Sequence, residues 1–180
     1  MEKTEGAVNQ QGTLTEEAQL GWLGGIVDGE GSITVLITNR ASENHNGFNL
    51  SPRICITNSN MLIIERAIEI LKNHNVGAYV YNNKEPKKTP TRHPCKTITV
   101  CGWKRVHTAL AVIIPYLVGK QQQARWLLEL CESRLNRGVK VGKNIPYSEH
   151  EKELTDAIRT SNRTPQRLYA SPVWPKTVMI

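Results

Sequence analysis

Stretches of helical and strand-like hydrophobic spacing alternate along the chain. The spacing predicts a first helix over Glu17 to Val27, stopping near Asp28-Gly29. Thr13-Leu14-Thr15-Glu16 fits a capping box at its start, with Thr13 accepting and Glu16 reaching back. Ser32 to Thr38 reads as a strand and Phe48 to Asn58 as a second, with Ile54 and Ile56 on one face and Arg53, Cys55 and Thr57 on the other. Pro52 points to an edge or irregular ladder position. Ser59 is placed to cap a helix over Asn60 to Asn73, whose apolar side includes Leu62, Ile63, Ala67, Ile70 and Leu71. Gly77 to Asn82 and Lys96 to Cys101 read as strands around a Lys/Pro-rich loop. Lys104 to Ile114 and Gln121 to Leu135 read as helices separated by Pro115 to Lys120, and Tyr147 to Ser161 as a last helix.

This order fits one α+β domain with helices covering one face of a four-stranded sheet. The expected organisation is a flexible arm over 1–12, the domain over 13–161 and a loosely held tail over 162–180. A length of 180 residues, 39% hydrophobic and 22% charged, suits a globular domain rather than a disordered chain. No apolar run approaches the roughly 20 residues that span a bilayer, and the N-terminal stretch is too polar and acidic for a signal or transit peptide. The expectation is a soluble, intracellular protein with no membrane partner.

Charge changes the picture. The whole chain carries +7, yet between Lys84 and Lys143 thirteen Lys/Arg face only three acids, a surplus of ten. Such a concentration suits a polyanionic partner, although a solvated basic face would look the same. The four cysteines (Cys55, Cys95, Cys101, Cys131) lack CxxC spacing and read as free, mostly buried thiols; His93 and Cys95 are close but have no further ligands at zinc spacing. None of the five histidines has a catalytic partner, which sets aside Ser-His-Asp and Cys-His chemistry. Trp22 and Trp103 read as core or interface residues, and His107 as structural.

The densest chemistry lies in Leu23-Gly24-Gly25-Ile26-Val27-Asp28-Gly29-Glu30-Gly31-Ser32. Two acids stand where a Gly-rich helix ends, among glycines that permit a sharp turn into a strand. Anions there meet the negative end of the helix dipole and call for a compensating cation, either a basic side chain or a hard metal ion. An ordinary Asp-Gly turn with a solvated Glu fits the same letters. Gly21 and Gly25 lie one turn apart on one face, where another backbone can approach closely.

The run Leu23 to Gly31 resembles the signature of the LAGLIDADG homing endonucleases, DNA enzymes encoded within introns or inteins. Six of nine letters match, identically or as an aliphatic swap (Leu23, Gly25, Ile26, Val27, Asp28, Gly31), while Gly24 and Gly29 replace alanines and Glu30 replaces an aspartate. Pro115-Tyr116-Leu117-Val118-Gly119-Lys120-Gln121-Gln122-Gln123-Ala124 resembles the family's Lys-Gln segment, and the likeness extends to about Arg137. The resemblance implies an αββαββα fold whose curved antiparallel sheet forms a DNA-binding saddle. With one motif and no internal repeat it implies a homodimer, with Gly21, Gly24, Gly25 and Asp28 at the interface. It makes Glu30, with the Gly29 carbonyl, the ligand of Mg²⁺, for which Mn²⁺ or Ca²⁺ can stand in during binding. Lys120 matches a basic residue near the scissile phosphate, and Asn58 stands where a water-ordering Gln is usual. A basic residue common early in the next helix falls at about Leu62, so that support is missing or comes from Arg53 or Arg66.

The implied activity is site-specific double-strand cleavage of a long, nearly palindromic DNA, leaving short 3′ overhangs, with no small-molecule substrate. Strand alternation nominates the DNA contacts: Ser32, Thr34, Leu36, Thr38 and Arg40; Asn49, Ser51, Arg53 and Cys55; Tyr81 and Asn83; Thr97 and Thr99. Arg40 and Arg53 suit guanine, and Asn49 and Asn83 suit adenine. Lys84, Lys87, Lys88, Lys140 and Lys143 suit phosphates. An RNA-binding intron-splicing maturase and a non-catalytic DNA-binding regulator are the rival readings. Glu30 argues against the second, since binding alone needs no acid facing phosphate.

Overall fold

The computed structural model describes residues 15–39, 48–82, 94–138 and 145–163. Thr13, Arg40, Asn83, Lys84, Lys87, Lys88, Lys140 and Lys143 lie outside the described residues, as do the 1–12 arm and 164–180.

Helix α1 (Glu16–Glu30) buries Leu20, Leu23, Gly24 and Val27, and leads directly into β1 (Gly31–Asn39). Its cap is Thr15, two residues after the expected Thr13, with the Thr15 hydroxyl accepting from the Ala18 N–H at 3.3 Å. The antiparallel partner β2 (Phe48–Asn58) is followed by α2 (Met61–Asn73), β3 (Tyr79–Asn82) and β4 (Lys96–Cys101). The cap of α2 is Asn60 rather than Ser59, its Oδ1 accepting from Leu62 N at 3.0 Å. Ile64, at helical spacing with Ala67 and Leu71, lies on the core face in place of the expected Leu62, which is 74% exposed. Helix α3 (Trp103–Ile113), a 3₁₀ turn at Ile114–Tyr116, α4 (Gln121–Asn136) and α5 (Glu149–Arg163) complete the fold. Gly102, at φ +91°, makes the turn from β4 into α3 in a conformation that favours glycine.

Helix α5 starts after Ser148, two residues later than the pattern predicts. Here the capping box is reciprocal: Ser148 Oγ accepts from Glu151 N at 3.2 Å, and Glu151 Oε2 accepts from Ser148 N at 2.9 Å. The box fixes the first turn and leaves Pro146-Tyr147 outside the helix.

The four-stranded sheet has the order β1-β2-β4-β3, antiparallel throughout. Ile33, Val35, Leu50, Ile54, Ile56, Ile98 and Val100 point to the helices and form the core with Leu23, Val27, Ile70, Leu110, Ile113 and Leu127. Pro52 falls where β2 has outrun β4, since Arg53 already pairs with Cys101 at the end of that strand. A missing N–H costs nothing at such a place. No described helix is long and apolar enough to cross a membrane. The cysteines are free; Cys131 alone among them is fully buried, and burial chiefly pushes its thiol up to about 12, which leaves it inert.

Candidate active site and nucleic-acid interface

The last turn of α1 presents carbonyls at the negative end of the helix dipole, with Val27 O already accepting from the Gly31 N–H. Lys120, arriving from the loop before α4, donates through Nζ to Val27 O at 2.9 Å and to Asp28 O. In return, Asp28 gathers three N–H groups of that loop: Val118 at 2.6 Å, Gly119 at 3.1 Å and Lys120 at 2.9 Å. The predicted compensating cation is therefore a lysine for the helix end and for Asp28. Burial lowers the Lys120 pKa, opposed by Asp28 and then Glu30. Gly31 closes the corner: a Cβ there would sit 2.7 Å from Val27 O, whereas Gly29 has open space around it.

Glu30 is left over. It ends α1 exposed, and its carboxylate makes no hydrogen bond or ion pair among the described residues. Asn58 stands at the same end of the sheet, since Gly31 pairs with Ile56 two residues before it. Its Oδ1 accepts from Asn60 N at 2.8 Å, so the side chain also braces the entry to α2. Arg66 is held at 2.7 Å by Glu69 on its own helix. Among the described residues no three His, Cys, Asp or Glu side chains cluster as metal ligands.

Away from the helices, the register aligns one polar face. Ser32 pairs with Cys55, Thr34 with Arg53, Leu36 with Ser51 and Thr38 with Asn49. Thr99 and Thr97 of β4 continue the rows from Cys55 and Thr57, and Tyr79 and Tyr81 of β3 extend them. Arg53 lies on this face, with its Nε buried and without a hydrogen-bond partner among the described residues. Thr99 does not suit the contact expected of it: it is only 7% exposed, its hydroxyl lying 3.5 Å from Cys55 Sγ. Thr97 is half-buried and bonded to the Thr57 hydroxyl at 2.8 Å. Both are covered because β4 is an inner strand with neighbours on each side.

The glycines of α1 separate into two kinds. A Cβ on Gly24 would meet Tyr116 Cβ and O at 2.7 Å, so this residue is required for close contact within the chain. Gly25 has nothing within 4 Å, and Gly21 only Tyr116 Cδ1 at 3.8 Å. Gly24→Ala is therefore expected to cost about 1–3 kcal/mol by overpacking. Gly25→Ala places its methyl in open space within the chain, so urea denaturation should rank Gly24→Ala well below it.

Three features escaped the sequence pattern. Tyr79 stacks near Tyr81 (6.3 Å) and takes a hydrogen bond from Arg105 at 3.2 Å, which only the β3–α3 juxtaposition creates. Tyr147 reaches the far end of β2. Glu151, 0% exposed, binds Arg134 (3.3 Å, itself 4% exposed) and Arg137 (2.9 Å), removing two arginines from the apparent basic surplus. The Ser-x-x-Glu spacing of residues 148–151 was its one local signal.

No protein-family model and no curated protein matches the sequence. Solved structures do. The chain superposes on the homing endonuclease I-CvuI, seen in complex with its target, at 17% identity and a TM-score of 0.53, over 80% of this chain and 96% of that one. The archaeal intron-encoded homing endonuclease I-Vdi141I, complexed with DNA, aligns at 15% identity and 0.53, over 82% and 99%. The group I intron-encoded homing endonuclease I-CeuI, also complexed with DNA, aligns at 15% and 0.55, covering 71% of this chain and 59% of its own. Sheet order, helix placement and these superpositions agree: the chain has the fold of the LAGLIDADG homing endonucleases.

Proposed function

We propose that the protein is a site-specific DNA endonuclease, acting as a homodimer and requiring a divalent metal ion. One observation carries the reading: of two acids at the α1 corner, Asp28 is fully used by the chain and Glu30 is left free beside it. The donors on offer, the Glu30 carboxylate and the Gly29 carbonyl, are oxygens that fit Mg²⁺, with water and phosphate oxygens filling the other positions. When bound, Mg²⁺ supplies an acidified water and neutralises charge on the phosphate. I-CvuI was itself crystallised with its target in the presence of Ca.

The chain's own residues then have distinct parts. Asp28 and Lys120 lock the loop before α4 onto the helix end, so that the Lys120 ammonium stays near Glu30 and stabilises developing negative charge. Its lowered pKa suits a group that also orients the attacking water. The polar sheet face carries the DNA, with Arg53 suited to a guanine edge and the hydroxyl rows to closer packing. Pairing of two chains through the open side of α1, around Gly21 and Gly25, sets two centres across the duplex. Each cuts one strand, leaving short 3′ overhangs and 5′ phosphates at a long, nearly palindromic site.

The test is selection of cleaved sites from a randomised DNA library with Mg²⁺, against EDTA. Cleavage with Mg²⁺ alone is expected. Intron splicing without DNA cutting would favour a maturase instead, and binding without cutting a regulator.

A further inference from the structure

Beyond the end of β4, the outer half of β2 has lost a strand neighbour, and Tyr147 takes its place. Its ring stacks on Phe48 with centroids 5.3 Å apart and planes 13° from parallel, while the Arg134 guanidinium covers the ring at 4.4 Å. Arg134 is in turn fixed by Glu151 at 3.3 Å and by the Ile145 carbonyl at 3.2 Å. The hydroxyl accepts from Leu50 N at 2.9 Å, the N–H that a further strand would have taken. Its own hydrogen must then go to an acceptor, and Asn49 Oδ1 lies 3.3 Å away.

We infer that Tyr147 is a positioning residue for base selection: by holding Asn49 Oδ1, it turns the amide so that the two Nδ2 hydrogens face the DNA. Asn49 then presents donors to the major groove. An adenine read in the usual bidentate way must be met by an acceptor and a donor, whereas guanine N7 and O6 accept two donors. The site accordingly prefers guanine over adenine opposite Asn49, the reverse of the pairing expected from residue type alone. This rests on the proposed DNA-binding role of the sheet face.

The experiment is binding selection from a randomised DNA library in Ca²⁺, comparing the wild-type chain with Tyr147→Phe, Asn49→Ala and Asn49→Asp. Tyr147→Phe keeps the ring contacts and removes only the hydroxyl. It should reduce the guanine-over-adenine preference by at least about fivefold at the symmetry-related pair of positions lost in Asn49→Ala, with every other position unchanged. Asn49→Asp leaves one oxygen on Tyr147 and turns the other outward, moving the preference to the amino-bearing edges of cytosine or adenine. A brace without a role in selection would lower affinity for all sequences alike. An unchanged profile for Tyr147→Phe, or guanine retained by Asn49→Asp, overturns the inference while DNA binding stands. A wild-type chain that selects no DNA overturns the functional reading and this one with it.

Discussion

Glu30→Gln is expected to lower DNA cleavage by on the order of 10³-fold, the scale on which removal of one preorganised electrostatic group acts. Binding of the same DNA, measured by mobility shift in Ca²⁺, should hold or strengthen, because one negative charge facing phosphate has gone. The fold should be little changed: the Glu30 carboxylate accepts no hydrogen bond among the described residues and acts on Lys120 only through its charge, so the thermal midpoint should stay close to wild type. This combination separates Glu30 from Asp28, whose amide replacement would disturb three backbone donors and the loop carrying Lys120. Cleavage by Glu30→Gln at the wild-type rate would remove Glu30 from the metal and require another acid.

The second large effect is on stability. Glu151→Ala leaves Arg134 buried without its carboxylate and unmakes the box that starts α5, with an expected loss of about 3–5 kcal/mol. For a domain of this size that is roughly 6–20 °C in thermal midpoint. Burial alone would raise the Glu151 pKa, but the Ser148 N–H, the Ser133 hydroxyl, Arg134 and Arg137 outweigh it and hold the carboxyl below its usual range. A depressed carboxylate contributes stability above its unfolded pKa of about 4.3, and that contribution is lost as pH falls through the folded value. The gap between wild type and Glu151→Ala should therefore be full at about pH 6–7 and narrow below about pH 4. A gap independent of pH would assign the loss to packing rather than charge.

Much of this was legible where local physics decides. Strands β2 and β4 follow from alternation, and the polar face from the same period, because strand side chains can only alternate. Helix starts were less legible: Thr13, Thr15, Ser59, Asn60 and Ser148 are all competent caps, and which one serves depends on where the chain enters. At α2 the run Met61-Leu62-Ile63-Ile64 is apolar throughout, and only packing against the sheet selects Ile64 rather than Leu62 for the core face. The glycines of the signature look alike in sequence, yet Gly24 answers to Tyr116, more than ninety positions away, and Gly25 to open space. Likewise Arg134 and Arg137 count as free positive charge until α5 is laid against α4. Only the tertiary fold carries that information.

The bracing of the β1–β2 hairpin also has a consequence in time. The hairpin is complete by residue 58, yet both of its ends are pinned from the last third of the chain: Leu50 N by Tyr147, and Ile33 O by the Asn162 amide at 2.9 Å. During synthesis from the N-terminus, the α1 corner can meet its loop once residue 120 has emerged, well before α5 exists. The surface that would read sequence is thus the last part to become rigid, and a chain halted before residue 145 would carry its acid and lysine in place while its hairpin still flexed.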